Sequence, residues 1–309
     1  MVVRYKCCLL ARHGKPYLRQ FFSIRTILLT VTTVRAELMG YSVYAIKYAQ
    51  RDAVRSEHFL GGDPHEGSPM PMDYFIWLIR DSKGRTWVVD TGFDRSDAQE
   101  RNRTLLRTAE EALALFDVKA SEVDDVILTH FHYDHAGGVK QFPNATFHVQ
   151  DEEMSFATGR DMGRKALRHA FTVEHIKDLV ERVFDEKVRF HNGDVELAPG
   201  LSLHHIGGHT RGLQVVRVDT GSGIVVLASD ATHYYANMDE ERPFPIVLDV
   251  GKMIDGYDIL RELAGEDGVI VPGHDPLVFE RFPSATSALS SITKISPSAS
   301  SATLMPLPS

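Results

Sequence analysis

Cysteine is nearly absent from this chain of 309 residues: there are two, Cys7 and Cys8, side by side near the start. The rest of the chain therefore carries no disulfide framework and no evidence about redox compartment. Long apolar runs are missing too. The best, residues 24–34, is too short and too rich in threonine to span a bilayer, so no membrane partner is expected. There is no internal repeat and no coiled-coil heptad, which excludes solenoid and fibrous architectures. Basic charge is scarce outside the N-terminus. Residues 1–36 hold seven of the 34 Lys and Arg and no acid, leaving 27 basic against 42 acidic residues in the remainder. That balance repels a phosphate backbone, and no Lys/Arg cluster with interleaved aromatics relieves it, so no nucleic-acid partner is expected.

What the chain does have is a dense run of donors, His130-Phe131-His132-Tyr133-Asp134-His135, followed by Ala136-Gly137-Gly138. It follows the apolar run Val126-Ile127-Leu128-Thr129, which reads as a buried strand. Three imidazoles and a carboxylate make poor core material, because each buried polar atom needs a partner. A divalent cation partners all of them at once. In extended chain His130 and His132 point to the same side, as neighbouring ligands for one metal. Asp134 and His135 lie past the strand end, where the glycines suit a tight turn, and can face a second metal. Imidazole and carboxylate donors fit zinc, and also iron, manganese or cobalt.

Further donors follow other apolar runs. Residues 201–206 lead into Gly207-Gly208-His209-Thr210, residues 224–228 into Ser229-Asp230, and Val269-Ile270-Val271 into Pro272-Gly273-His274. Strand ends gathered at one sheet edge are where a rigid scaffold can hold a site. A single histidine is usually a satisfied core or surface residue. His58, His65, His148, His169, His175 and His191 are read that way. His204 and His205 fall inside a strand and outside the pattern.

The HxHxDH run, the GGHT segment, Ser-Asp after an apolar strand and the closing Pro-Gly-His resemble the metallo-β-lactamase fold superfamily. Val88-Val89-Asp90-Thr91-Gly92 resembles its upstream strand and Asp-Thr-Gly turn. The resemblance is collinear over roughly residues 40–283, and spaced motifs in order are far more specific than any one of them. It implies an α/β fold, the αββα sandwich of two mixed β-sheets flanked by helices. It implies two divalent metal ions, zinc first with iron, manganese or cobalt as alternatives. His130, His132 and His209 would hold one, Asp134, His135 and His274 the other, with Asp230 bridging. It also implies a nucleophilic water between the metals, its pKa lowered by them, and Asp90 as the residue that orients a ligand.

Within the superfamily, Asp230 speaks against the β-lactamases proper, and the aspartate of HxHxDH against the flavodiiron oxidoreductases. The closer resemblance is to the N-acyl-homoserine lactonases, quorum-quenching enzymes that open lactone rings. The segment from Asp63-Pro64-His65 to Met70-Pro71-Met72-Asp73-Tyr74-Phe75-Ile76-Trp77 looks like their substrate loop, rich in Met, Pro and aromatics. Those residues serve an acyl pocket or ordinary core equally well. The lactonases carry a tyrosine in an Asp-Ala-x-Tyr pattern, placed to stabilise the oxyanion. Here the run is Asp230-Ala231-Thr232-His233-Tyr234, so either Tyr234 or His233 takes that place, with Tyr234 favoured. Leu213 replaces a histidine found in many relatives after the GHT segment. Asp134 would carry the proton to the leaving group. The alternatives are a glyoxalase-II-like thioesterase or another small-ester hydrolase, and a non-catalytic scaffold. Only Arg281 and Lys294 follow His274 to meet glutathione carboxylates, and none of the seven ligands is missing.

The expected partner is a small lactone or ester, with a homodimer possible through a polar helical insertion over residues 151–187. Helical stretches are expected at 96–116, 160–185 and 254–264. Residues 1–38 form a basic N-terminal extension, read as disordered or as sequence ahead of a true start at Met39, with targeting as the alternative. Residues 39–283 form the hydrolase domain, and 284–309 a Ser-rich disordered tail. A cytoplasmic location is expected.

Overall fold

Successive residues of strand β2 (Met72–Arg80) are buried on both faces. Phe75, Trp77 and Ile79 point one way, and Tyr74, Ile76 and Leu78 the other, into a different core. Burial on both sides of a period-two strand means a central layer covered on each face. The computed structural model describes residues 40–282 and 291–297, and among them these layers are plain.

Beside β1 (Ser42–Arg51) and β2 come β3 (Thr86–Val89), β4 (Thr104–Leu105), β5 (Asp125–Ile127), β6 (Thr146–Gln150) and β7 (Val188–His191). With β13 (Ile292–Ile295) they form an eight-stranded sheet in the order β13-β1-β2-β3-β5-β6-β7, β4 pairing with β1. It is antiparallel from β13 to β3 and parallel from β3 to β7. The second sheet joins β8 (Val195–Ala198), β9 (Leu201–His205), β10 (Gln214–Asp219), β11 (Ile224–Ser229) and β12 (Val269–Pro272) in the order β12-β11-β10-β9-β8. Only β11 and β12 run parallel there.

Three cores separate four layers. Val43, Trp77 and Val89 meet Leu203, Val216 and Leu227 between the sheets. Ile46, Leu78 and Val126 pack on Leu113 and Leu179, which belong to helices Ala109–Ala114 and Val173–Phe184. Val226 and Val215 pack on Met253, Tyr257 and Leu260 of helix Val250–Ala264. The helices start where side chains satisfy their free N–H groups. Thr108 and Glu111 form a capping box, and Asp249 accepts from the Lys252 N–H. This is the expected αββα sandwich.

Some expectations need correction. The stretch 96–116 is two short helices, Arg95–Glu100 and Ala109–Ala114, because Thr104 and Leu105 pair with Gln50 and Ala49 on the edge of β1. Residues 160–185 divide into a 3-10 turn, the short helix Lys165–Arg168 and the twelve-residue helix Val173–Phe184. Within the segment read as a tail, Ile292–Ile295 is a strand: its register places Ile292 against Ile46 and Ile295 against Val43. Ile292, Thr293 and Ile295 are buried, so the folded domain reaches beyond residue 283. The basic N-terminal extension, with Cys7 and Cys8, and residues 298–309 lie outside the described residues. Among the described residues no helix is long and apolar enough to cross a membrane.

Candidate metal centre

Five strands stop at one edge, and each hands over a polar residue. Asp90 follows β3, His130 follows β5, His209 follows β9, Asp230 follows β11 and His274 follows β12. The two glycines after His135 let the chain pack closely there: a Cβ on Gly138 would overlap the Thr91 carbonyl oxygen. All seven predicted donors are buried and converge.

Asp230 lies at their centre. Its Oδ2 is 3.3 Å from His209 Nε2 and 3.8 Å from His130 Nε2. Its Oδ1 is 3.1 Å from His274 Nε2 and 3.3 Å from His135 Nε2. The cluster thus falls into two groups, one on each carboxylate oxygen. In the first, His209 Nε2 is 2.9 Å from His132 Nδ1 and 3.2 Å from His130 Nε2. In the second, Asp134 Oδ2 is 3.8 Å from both His135 Nε2 and His274 Nε2. Each group could hold a metal ion: His130, His132 and His209 gather within one, and Asp134, His135 and His274 within the other.

The outward ring nitrogens show which tautomer each histidine takes. His209 Nδ1 is 2.6 Å from the Ile246 carbonyl, His274 Nδ1 is 2.8 Å from the Asp73 carbonyl, and His135 Nδ1 is 2.7 Å from Asp90 Oδ2. A carbonyl or carboxylate can only accept, so these nitrogens carry the proton, and in the neutral ring the inward Nε2 offers a lone pair. His135 Nε2, His274 Nε2 and Asp230 Oδ1 are buried with no hydrogen-bond partner. Lone pairs aimed at one another in a buried space repel unless a cation lies among them. The donor set therefore fits a pair of divalent cations.

Protonation agrees. Burial, helped by neighbouring imidazoles, holds His130 and His132 well below the usual histidine range. Burial also lowers His209. Burial pushes Asp230 up, but His274, His135 and His233 outweigh it and keep this carboxyl well below its ordinary range. Neutral imidazoles around an ionised carboxylate are the forms that bind metal. His135 is the exception: burial lowers it, but Asp230, Asp90 and Asp134 outweigh burial and hold it well above the usual histidine range, with a proton that a cation there would displace.

Asp90 holds the second group from behind. It accepts from the Thr129 N–H at 2.8 Å, from the Thr129 hydroxyl at 2.9 Å and from His135.

Of the two candidates near Asp230, His233 faces the cavity and Tyr234 does not. His233 Nε2 is 2.8 Å from Asp230 Oδ2, and its ring stacks on Phe244. The Tyr234 hydroxyl donates to the Pro71 carbonyl at 3.2 Å and lies 3.1 Å from His58 Nε2. The reason is local. Tyr234 is the N-cap of helix Tyr235–Asp239, its N–H fixed by Asn237 Oδ1, and this turn sends consecutive side chains apart.

The cavity over the cluster holds about 110 Å³ and opens to solvent. Met72 and Tyr74 reach its wall while Phe75 and Trp77 sit between the sheets, so the loop residues divide between pocket and core. His58 and His169, read as ordinary histidines, also line it, as do Arg51, Arg101 and Arg103. No local pattern marks these residues. They come from separate elements that only the fold joins. His148 pairs with Asp125 and His191, His175 with Asp97, and His204 with Asp194, all away from the cluster. The insertion over residues 151–187 contributes His169 and Ala170 to the cavity.

The model of the Metallo-beta-lactamase superfamily matches residues 71–274, two thirds of the chain. The protein belongs to this superfamily. An N-acyl homoserine lactonase of Bacillus cereus is 26% identical over 225 residues, spanning 68% of this chain and 84% of the relative. A probable metallo-hydrolase of Mycobacterium tuberculosis is 28% identical, over 62% of this chain and 72% of the relative. Among solved structures, a quorum-quenching N-acyl homoserine lactone lactonase superposes with a TM-score of 0.64 at 25% identity. That match covers 76% of this chain and 92% of the other.

Proposed function

We propose that this metallo-β-lactamase-superfamily hydrolase opens lactone rings at a centre holding two divalent metal ions. The observation that carries the reading is Asp230, each of whose carboxylate oxygens faces its own group of inward-pointing donors. His130, His132 and His209 would hold one ion and Asp134, His135 and His274 the other, with Asp230 shared. Zinc is the first choice for such nitrogen and oxygen donors, and iron, manganese or cobalt take the same set. When bound, the ions supply Lewis acidity and a water acidic enough to ionise near neutral pH.

The chain's own residues do the rest. The outward hydrogen bonds of His135, His209 and His274 fix each ring so that its Nε2 points inward. His233 takes the place that the lactonase resemblance gives to tyrosine. On the cavity wall its Nε2 N–H goes to Asp230 Oδ2, so it would steady the shared carboxylate. Phe244 and Ile246 cover the His209 side and keep bulk water out. In the reaction the water oxygen bonds to the carbonyl carbon and the ring C–O bond breaks. The water proton moves to the leaving alkoxide, with Asp134 as the carrier on the cavity wall. One lactone and one water give one hydroxy acid. The relatives support this choice: lactonases recur among them.

The test is a hydrolysis panel with metal-replete protein: N-acyl homoserine lactones, an aromatic lactone, S-lactoylglutathione, a phosphodiester and a β-lactam. Lactone cleavage with about two metal ions per chain is expected, lost on Asp230→Asn. Thioester turnover without lactone cleavage, or undiminished cleavage by Asp230→Asn, overturns the reading.

A further inference from the structure

We propose that the cavity selects substrates carrying a carboxylate away from the scissile bond, held by Arg103 with Arg101 beside it. The inference rests on the lactonase reading above and names the substrate class of the same site.

Three arginines line the cavity, and they are not equivalent. Arg51 already has a counter-ion, Glu57 Oε2 at 2.6 Å. Arg101 and Arg103 bond only to neutral oxygens. Arg101 donates to the His169 carbonyl at 3.1 Å and the Thr172 hydroxyl at 3.2 Å. Its guanidinium lies over the Tyr133 ring, 3.9 Å from the centroid. Arg103 donates from Nε to the Tyr133 hydroxyl at 3.1 Å and from Nη1 to the Arg101 carbonyl at 2.6 Å. Among the described residues neither has a carboxylate within ion-pair distance.

Both side chains are half-buried. A half-buried guanidinium without a counter-ion gives up hydration and gains no charge partner in return. Two of them two residues apart also repel each other. Such an arrangement is stable when an anion comes to it. The nearby carboxylates do not fill that role. Asp134 and Asp230 face the imidazole cluster, and two divalent cations there more than neutralise them. The metal-replete cavity is therefore strongly cationic inside a chain of net charge −8. Tyr133 fixes the pair: its ring supports Arg101 and its hydroxyl holds Arg103 Nε, which leaves Nη2 of Arg103 to meet a carboxylate oxygen. The lining also has the apolar Met72, Phe244, Pro245 and Ile246. A short acyl chain ending in a carboxylate matches a lining of this mixed kind.

The experiment uses matched homoserine lactones on the full, metal-replete chain. Butanoyl, pentanoyl and hexanoyl lactones are compared with their succinyl, glutaryl and adipoyl counterparts, in which the terminal methyl becomes a carboxylate. At the best length the carboxylate form should show a kcat/KM about tenfold or more higher, mainly through KM, as expected for a charged hydrogen bond. Raised salt should shrink the ratio. Arg103→Met should bring it to about one, and Arg103→Lys should keep part of it. Glutarate should compete with the neutral lactones in the unsubstituted protein, a readout that stands if Arg103→Met fails to fold. Neutral lactones cleaved as well as their carboxylate forms at every length, or glutarate without effect, overturn the inference. No cleavage in either series instead overturns the lactonase reading.

Discussion

Asp90 Oδ2 accepts a hydrogen bond from His135 Nδ1 across 2.7 Å, and it does so from a left-handed backbone position, φ 62°. Aspartate and asparagine tolerate that region through local hydrogen bonding, whereas alanine pays roughly 1–2 kcal/mol there. Two substitutions should therefore separate. Asp90→Asn should keep most of the thermal stability yet weaken metal binding by about 10- to 100-fold, as loss of a ligand's supporting partner does. Asp90→Ala should lose both. Chelator-competition titrations and melting curves on the two variants decide; equal metal affinity in Asp90→Asn and the parent rejects the orienting role.

Gly273 makes room for Asp230. A Cβ at this position would stand 2.6 Å from Asp230 Oδ1 and 2.8 Å from the Ser229 carbonyl oxygen, which is backbone and cannot swing aside. Gly273→Ala should cost about 1–3 kcal/mol by overpacking and push the shared carboxylate out of place. A lowered denaturant midpoint together with fewer than two bound metal ions is the expected pair of results. Unchanged metal content would mean that Asp230 has freedom the packing denies it.

Tyr234→Phe should change kcat by less than about threefold, because its hydroxyl is engaged with His58 and Pro71. His233→Phe removes the N–H that Asp230 Oδ2 accepts and should lower kcat by about 10- to 100-fold, the scale for losing a ligand's supporting partner. Steady-state kinetics on the two variants distinguish them, and the reverse order would restore the tyrosine.

Stability should fall as pH drops from about 6.5 to about 4. Burial, helped by Arg51, lowers His58 to about 4, and burial with His148 lowers His191 to about 4. Between 4 and 6.5 the unfolded chain binds protons that these folded histidines refuse, so acid favours unfolding, with no further loss from them below about 4. Asp275 opposes this: burial raises it to about 6, so its cost to the fold is full above 6 and disappears as the pH falls toward 3.8. Two histidines against one aspartate leave a net loss. His130, His132, His209 and His233 are lowered in the same direction, whereas His135, held up by Asp230, Asp90 and Asp134 against burial, opposes them. Melting temperatures across this range, in the presence of a chelator, test the sign. A flat or rising profile toward acid is the contrary outcome.

What could be read from the chain alone follows from locality. The HxHxDH run places four donors by strand spacing and one turn, and each remaining donor follows an apolar strand that announces itself. Three features needed tertiary information. Whether His233 or Tyr234 faces the cavity depends on where helix Tyr235–Asp239 starts, which Asn237 sets through its side chain. Ile292–Ile295 is four residues among serines and becomes a strand only against β1. Arg51, Arg101 and Arg103 come from the end of β1 and the loop before β4, and no spacing rule links them.

The last strand has a consequence for handling the protein. Along the outer side of β1, β13 covers Val43 to Ile46 and β4 covers Ala49 and Gln50, while the Lys47 N–H bonds to the Ser291 carbonyl. Trimming the chain at residue 283, as its serine-rich composition invites, would uncover half of that edge and expose the side chains that Ile292 and Ile295 shield. Unpaired strand edges recruit one another. The shortened protein would keep every metal donor and still be prone to self-association, so precipitation of such a truncation would say nothing about the chemistry of its site.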